Sequence, residues 1–264
     1  MTTLVPGTAR PVSAAAPGPA EPLVLLPGTL CDERVWQPVV CRLLHRPVIV
    51  KPLVGESSTA AMARRLLAEL PARFSLAGFS LGGIVALEMI AQAPERIARL
   101  ALVDTNARPD PPANHTARRN AVERAAQLGM ERYVSDKLWS VYVSGDHVAD
   151  EAKRSLVAAM SAAAGLDTFR SQSELAISRA DSRPRLGAIR VPTLVLCGAE
   201  DKLCTPAVHE EMAAGIPGAR LVQVPRTGHF ALIEDPDAVA AALRDWLDLD
   251  IPSHSDVRVK RTAS

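Results

Sequence analysis

Residues 74–93 read FSLAGFSLGGIVALEMIAQA and contain the pentapeptide Gly78-Phe79-Ser80-Leu81-Gly82. The apolar run FSLAGF predicts a buried strand, and the run from Leu81 predicts a buried helix that ends before Pro94. The pattern G-x-S-x-G between them is typical of a sharp strand-to-helix turn that exposes a serine hydroxyl. Glycines flank such a turn because larger side chains would collide there. The stretch therefore predicts Ser80 as a nucleophile within a strand-helix unit.

The rest of the chain repeats this alternation of short apolar runs and helical patterns. Most of the apolar runs are continuous rather than alternating, as in strands that helices cover on both faces. We therefore expect an α/β fold, with an open, mostly parallel sheet of about six strands and helices on both faces. The expected strands are 22–28, 47–53, 74–80, 97–105, 192–198 and 219–225, and the clearest helices are 60–70, 81–93 and 239–247.

One long region interrupts the alternation. Residues 109–187 show helical patterns, such as 115–129 and 149–163, and no convincing strand. An all-helical insertion between two sheet strands is most simply a cap over the sheet edge. The predicted organisation is a sheet core at 21–108 and 188–250, the helical cap at 109–187, a flexible leader at 1–20 and a flexible tail at 251–264.

Composition excludes several classes of protein. Of the 264 residues, 48% are hydrophobic and 22% charged, and the formal net charge is +1. High apolar content with little net charge argues against intrinsic disorder. The charge balance argues against nucleic acid as the main partner, and no apolar run approaches the length of a membrane span.

The cysteines and the first residues bear on the cellular compartment. Residues 1–20 lack the continuous apolar stretch of a secretory signal. The four cysteines show no CxxC pair, so we expect each of them to be a small buried hydrophobic residue. Free cysteines of this kind are typical of a reducing compartment, which indicates the cytoplasm. They are Cys31, Cys41, Cys197 and Cys204.

A serine nucleophile needs a base, and His229 is the candidate. His229 follows the predicted strand 219–225 across a short loop, and Gly228 permits the turn that would bring the imidazole over the sheet edge. The other histidines lie in predicted helices, cap or tail, where surface or partly buried positions are expected. They are His45, His115, His147, His209 and His254.

The acid that orients the base is predicted at Asp201, directly after the strand 192–198. Glu200 is adjacent in sequence and Asp104 also ends a strand, so both remain alternatives. The chain order Ser80, Asp201, His229 is the nucleophile–acid–base order that is typical of hydrolases with a G-x-S-x-G turn. The carboxyl ends of the strands in an open parallel sheet meet at one edge, which would bring the three side chains together.

The remaining site predictions concern transition-state stabilisation and substrate contact. We expect the backbone N–H groups of Leu81 and Thr29 to form an oxyanion hole. Leu30, Phe79 and Trp139 are candidate substrate-contacting residues. Arginines of the predicted cap could meet a substrate carboxylate or a carrier phosphate. They are Arg118, Arg119, Arg124, Arg132, Arg170 and Arg179. For any single arginine, a solvated surface cation is the favoured interpretation, because most of the basic residues of this chain are arginine.

Over residues 22–250 the sequence resembles the α/β-hydrolase superfamily. The resemblance rests on PLVLLPGTLCDERVW, LAGFSLGGIVALEM, ARLALVDTNA, PTLVLCGAEDKLCTP and VPRTGHFALIEDP. Within the superfamily, the chain is most similar to small capped carboxylesterases, including acyl-carrier-protein methyl esterases of biotin synthesis. The resemblance implies the roles already given to Ser80, Asp201 and His229. Two departures are Pro27-Gly28 in place of His-Gly, and the lack of a leading hairpin before the first predicted strand.

The function that the residues favour is ester hydrolysis through an acyl-enzyme, with a small-molecule ester as substrate and without metal or cofactor. Carbon–carbon bond hydrolysis, cofactor-free perhydrolysis and a pyruvate-eliminating lyase reaction remain possible on the same three side chains. A ligand-binding protein on a hydrolase fold is the alternative from another class. The sequence does not indicate an oligomeric state.

Overall fold

The computed structural model describes residues 21–43 and 46–249. The predicted leader and tail, together with His45 and His254, lie outside the described residues. Six strands form one sheet in which every neighbouring pair is parallel, in the order β2-β1-β3-β4-β5-β6. This confirms the predicted fold class and all six predicted strands. The strands are β1 (Leu23–Leu26), β2 (Val48–Val50), β3 (Phe74–Phe79), β4 (Ile97–Val103), β5 (Thr193–Gly198) and β6 (Arg220–Val224).

The helices pack on both faces of the sheet and also fill the long segment between β4 and β5. Short 3₁₀ turns occur at Glu33–Val35, Pro94–Arg96 and Gly145–His147, and a π-helical turn at Val134–Leu138. In chain order the α-helices are α1 (Gln37–Val40), α2 (Thr59–Glu69), α3 (Leu81–Gln92), α4 (Pro112–Leu128), α5 (Met130–Tyr133), α6 (Trp139–Tyr142), α7 (Glu151–Ile177), α8 (Arg183–Leu186), α9 (Pro206–Gly215), α10 (Ala231–Glu234) and α11 (Pro236–Leu247).

The strands divide the core into two layers, one on each face of the sheet. Every residue of β1, β3, β4 and β5 is buried, whereas β2 and β6 at the edges are only partly covered. Successive side chains of a strand point to opposite faces. Accordingly Leu76 packs in the layer with α2 and α3, and Ala77 packs in the layer that contains Trp36 and Trp246. The continuous apolar runs of the sequence are explained by this two-sided burial.

The segment between β4 and β5, all of which the structure describes, contains helices α4 to α8 and no strand. We call residues 109–187 the helical insertion. Its longest helix, α7, has 27 residues and is interrupted at Gly165, where φ is 76° and ψ is 171°. The predicted helix 149–163 corresponds to the first half of α7, and the sequence did not reveal the second half. Among the described residues, no helix has both the length and the apolar character needed to cross a membrane.

Candidate active site

Ser80 occupies a strained turn between β3 and α3. Its backbone has φ 51° and ψ −115°, a conformation that L-residues rarely adopt and that active sites often retain. The Ser80 N–H donates to the carbonyl of Val103 at 2.9 Å. A Cβ atom at Gly78 would overlap the backbone of Gly82, and one at Gly82 would overlap the backbone of Leu26. The glycines of the motif are therefore required by close backbone packing.

His229 lies between Ser80 and Asp201. Its Nε2 is 2.9 Å from Ser80 Oγ, and its Nδ1 is 2.8 Å from Asp201 Oδ2. Because a carboxylate only accepts hydrogen bonds, Nδ1 carries the proton and Nε2 accepts from the serine hydroxyl. The three predicted side chains thus form one continuous line of hydrogen bonds, with His229 4% and Asp201 3% exposed.

The surroundings of Asp201 favour its ionised form. Its Oδ1 accepts hydrogen bonds from the backbone N–H groups of Leu203 and Cys204 at 2.8 and 2.9 Å. Burial alone would raise the pKa of Asp201, but the charge and hydrogen bond of His229 and the two N–H groups together lower it. Asp201 is therefore a stable anion beside the imidazole.

The two alternative acids have different positions. Asp104, which follows β4, is fully buried and accepts from the Gly198 N–H at 2.9 Å, while its Oδ2 has no hydrogen-bond partner among the described residues. Burial, followed by the charge of Asp201, raises the pKa of Asp104 well above its ordinary value. Glu200 is exposed and reaches the Gly145 N–H at 3.4 Å. Among these carboxylates, Asp201 is the one that hydrogen-bonds to His229.

Glu234 is a site residue that the sequence analysis did not identify. Its carboxylate accepts from the N–H groups of Gly228 at 3.0 Å and Phe230 at 3.2 Å, the residues on either side of His229. It also accepts from Ser144 N at 2.9 Å, in the helical insertion. The available signal was an acidic residue inside the otherwise apolar run FALIE. Glu234 joins the histidine loop to the insertion.

The residues that carry the predicted oxyanion donors line the same cavity as Ser80. They are Thr29 and Leu81, and Leu81 begins α3, where N–H groups of the first turn lack partners within the helix. The loop that carries Thr29 is held by Gln172 of α7, which is 2% exposed. Gln172 Oε1 accepts from the Leu30 N–H at 2.8 Å, and the backbone of Leu30 has a φ of 60°. No sequence signal indicated this contact between the insertion and the core.

The cavity has a volume of about 400 Å³ and lies between the strand ends and the helical insertion. The residues that line it come from both parts of the chain: Thr29, Ser80, Leu81, Ile84, Thr105, Asn106, Asn114, Arg118, Ala121, Tyr133, Leu138, Tyr142, Phe169, Ser173, Ala176, Arg179, Leu203, Cys204, His229 and Phe230.

The three predicted substrate-contacting residues are absent from this lining, which corrects that expectation. Leu30 is buried at the turn that Gln172 holds. Phe79 is 1% exposed, and its ring packs against His229 at a centroid distance of 5.5 Å. The indole of Trp139 is buried and donates to the Val148 carbonyl at 2.9 Å. Of the three, Phe79 is the one whose ring contacts a residue of the cavity wall, His229.

Two further expectations are corrected: that His209 is at the surface or partly buried, and that all four cysteines are buried. His209 is fully buried, and its Nε2 accepts from the Thr105 N–H at 2.9 Å. Burial lowers the pKa of His209 to about 4, so this histidine is neutral at pH 7. Among the cysteines, Cys41 is exposed whereas the other three are buried, and all four are free thiols.

A group of possible metal ligands includes two of the three hydrogen-bonded residues, His229 and Asp201. Ligand atoms of Asp201, Cys204 and His229 lie within 4.8 Å of one another. Burial raises the pKa of the Cys204 thiol to about 12, so the thiolate that a metal requires is disfavoured. The facing nitrogen of His229 is already occupied by Asp201. The donor set therefore suits proton transfer better than metal binding.

Comparisons with known proteins identify the family and the fold. A family model described as the alpha/beta hydrolase fold matches residues 54–236. The chain is 31% identical over 217 residues to the provisionally named carbamate hydrolase RutD of Klebsiella pneumoniae subsp. pneumoniae, covering 78% of this chain and 79% of that protein. It is 28% identical to the pimeloyl-[acyl-carrier protein] methyl ester esterase of Aromatoleum aromaticum, covering 84% of this chain and 96% of that protein.

Solved structures give the same fold. A thermophilic esterase from Thermogutta terrifontis, with malate bound, superposes with a TM-score of 0.79 at 28% identity, covering 87% of this chain and 90% of that one. The enol-lactonase from Burkholderia xenovorans LB400 superposes with a TM-score of 0.78 at 27% identity, covering 87% of this chain and 92% of that one.

Proposed function

The chain belongs to the α/β-hydrolase fold family, and from this premise we propose that it is a serine hydrolase that cleaves carboxylic esters of small molecules. The observation that carries the proposal is the unbroken line from Ser80 through His229 to Asp201, which opens into a cavity. Such a line is the arrangement that activates a serine hydroxyl for nucleophilic attack.

In the first half of the reaction, His229 Nε2 takes the proton of Ser80 as its Oγ attacks the ester carbonyl carbon. The carbonyl oxygen becomes an oxyanion, which the N–H groups of Thr29 and Leu81 stabilise. Asp201 stabilises the imidazolium that forms. When the tetrahedral intermediate collapses, the carbon–oxygen bond to the alcohol breaks and the alcohol leaves with the proton from His229.

In the second half, water replaces the alcohol. His229 removes a proton from a water molecule, whose oxygen attacks the acyl carbon. The acyl–serine bond then breaks, Ser80 Oγ regains its proton from His229, and the carboxylic acid is released. The same hydrogen bonds serve both halves, so the residues named above supply every proton transfer that ester hydrolysis requires.

The decisive experiment is labelling with a fluorophosphonate, followed by peptide mass spectrometry, combined with turnover of p-nitrophenyl acetate. We expect the label on Ser80, and a loss of kcat of about 10⁴–10⁶-fold in Ser80→Ala. Ser171→Ala is the matched control, since Ser171 Oγ only donates to the Thr168 carbonyl within α7. A label on another residue, or near-normal turnover by Ser80→Ala, would overturn the proposal.

Carbamate hydrolysis is the second candidate, favoured by the 31% identity to the relative named for that activity. A carbamate carbonyl is attacked by the same nucleophile and held by the same N–H groups, so the geometry accommodates both. The kcat/KM values for p-nitrophenyl acetate and p-nitrophenyl N-methylcarbamate separate the two candidates. We expect the ester to be preferred, and a preference for the carbamate would replace ester hydrolysis as the assigned function.

A further inference from the structure

The cavity that contains Ser80 carries an uneven charge. Among the described residues that line it, two are arginines, Arg118 and Arg179, and none is aspartate or glutamate. Arg118 lies on α4 and Arg179 follows α7, so both come from the helical insertion. Positive charge in a partly enclosed cavity attracts an anion more strongly than the same charge at an open surface.

A buried carboxylate fixes both arginines in place. The side chain of Asp110 is fully buried, and it accepts from Arg118 Nε and Nη2 at 2.9 and 2.8 Å. Arg179 Nη2 lies 3.1 Å from Asp110 Oδ1, and its Nε donates to the Arg108 carbonyl at 2.9 Å. Guanidinium groups that are already held by such bonds lose little further freedom when a ligand binds.

The charges in this cluster do not cancel. One carboxylate faces two guanidinium groups, which leaves one positive charge, and His115 Nε2 lies a further 3.8 Å from Asp110. Burial lowers the pKa of Arg179, the charge of Asp110 opposes that shift, and Arg118 adds to it. Arg118 Nη1 makes no hydrogen bond to any described residue, so it is free to donate to a ligand.

The rest of the lining combines polar and apolar groups, which suits a molecule with one charged end. Asn106 and Asn114 add amide groups to the lining. The aromatic rings of Tyr133, Tyr142 and Phe169 also line the cavity and can cover a short hydrocarbon chain. A single excess positive charge matches a carboxylate, whereas a phosphate monoester would bring nearly two negative charges.

We propose that Arg118 and Arg179 form a carboxylate-binding subsite, so that the preferred substrate is a small ester that also carries a free carboxylate. This inference rests on the proposed ester hydrolysis at Ser80 and adds the class of substrate. A planar guanidinium matches the two oxygens of a carboxylate, so it can donate two parallel hydrogen bonds to that group.

The test compares monomethyl esters of succinic, glutaric and adipic acids with the dimethyl ester of the same acid. We expect the wild-type protein to prefer at least one monoester, by about 10–100-fold in kcat/KM, the range that a hydrogen-bonded charge pair provides. Arg118→Gln should remove this preference. Arg119→Gln is the matched control, because Arg119 lies exposed on the same helix and pairs with Glu174.

The outcomes separate this inference from the proposed function. If the wild-type protein hydrolyses p-nitrophenyl acetate and the diesters but prefers none of the monoesters, the subsite is wrong and the esterase stands. If none of the esters is hydrolysed and Ser80 is not labelled, the proposed function itself fails. The monoester comparison needs only the wild-type protein, so poor folding of Arg118→Gln would not prevent a decision.

Discussion

The loops at the strand ends and the helical insertion contribute different things to one cavity. The loops after β3, β5 and β6 carry Ser80, Asp201 and His229, each on the short segment that follows a buried strand. The insertion contributes no member of that line, but it supplies both cavity arginines and much of the aromatic wall. The proposed reaction and the proposed substrate recognition are therefore encoded in separate stretches of sequence.

The two regions are nevertheless joined by several buried hydrogen bonds, and those of Glu234 and Gln172 lie next to the proposed catalytic groups. Glu234 binds backbone on both sides of His229 and also Ser144 of the insertion. Gln172 of the insertion binds the loop that carries the proposed oxyanion donor Thr29. If the strand-end loops carry the reaction and the insertion carries substrate recognition, variants at the strand ends should have the largest effects on turnover. Variants at Glu234 and Gln172 should have intermediate effects.

The largest effect after removal of the nucleophile is expected in Asp201→Asn. The amide cannot accept from His229 in the same way and favours the wrong tautomer of the imidazole, which costs about 10⁴-fold in kcat. Turnover of p-nitrophenyl acetate measures the loss. Asp104→Asn is the matched control, since Asp104 does not hydrogen-bond to His229. Equal losses in the two variants would contradict the assignment of Asp201.

Glu234→Gln should lower kcat by about 10–100-fold, with a much smaller change in KM. The glutamine amide replaces an acceptor by a donor against the N–H groups of Gly228 and Phe230, so the loop that carries His229 shifts. The split between kcat and KM distinguishes a positioning role from a general loss of stability. Glu200→Gln provides an exposed control, and a pure KM effect would refute the role of Glu234.

Gln172→Leu should reduce kcat by about tenfold. Removing an oxyanion-hole donor costs about 10²–10³-fold. We expect a smaller loss because this substitution leaves the donor itself in place and removes the hydrogen bonds of Gln172 to the Leu30 N–H and the Leu53 carbonyl. Gln92→Leu, on the exposed side of α3, is the control. Unchanged kcat in Gln172→Leu would show that the loop around Leu30 holds its shape without the insertion.

The smallest effect concerns stability rather than activity. Because the pKa of Asp104 is raised in the folded protein, its carboxyl group costs stability increasingly as the pH rises above the ordinary carboxyl value. Asp104→Asn should therefore raise the melting temperature by roughly 2–4 °C at pH 8. The difference should disappear as the pH falls well below the ordinary carboxyl pKa of 3.8, because the group is then protonated in both states. Melting curves across this pH range test it, and a constant difference would contradict it.

The sequence predicted the strand-end loops well because their signals are local. A continuous apolar run in the sequence indicates a buried parallel strand, and the glycines around Ser80 indicate the sharp turn. The hydrogen bonds of Asp201 and His229 then follow from the parallel arrangement, since the ends of such strands meet at one edge.

The insertion was predicted less well because its contacts join distant parts of the chain. Gln172 and Leu30 are separated by 142 positions, and nothing near either residue indicates the pairing. The π-helical turn at Val134–Leu138 also changes the helical register just before Trp139. A regular helical period therefore does not identify which aromatic residues face the cavity, and Tyr133 and Tyr142 line it where Trp139 was expected.

The close backbone packing around Ser80 also affects how the protein can change by mutation. Every missense change in a glycine codon adds at least a Cβ atom, and at Gly78 and Gly82 that atom would overlap neighbouring backbone. Gly145 of the insertion, by contrast, has open space around it and no unusual φ. Inherited variation should accumulate in the insertion while the nucleophile turn stays fixed, so relatives of this chain can diverge in the molecules they accept without losing the reaction.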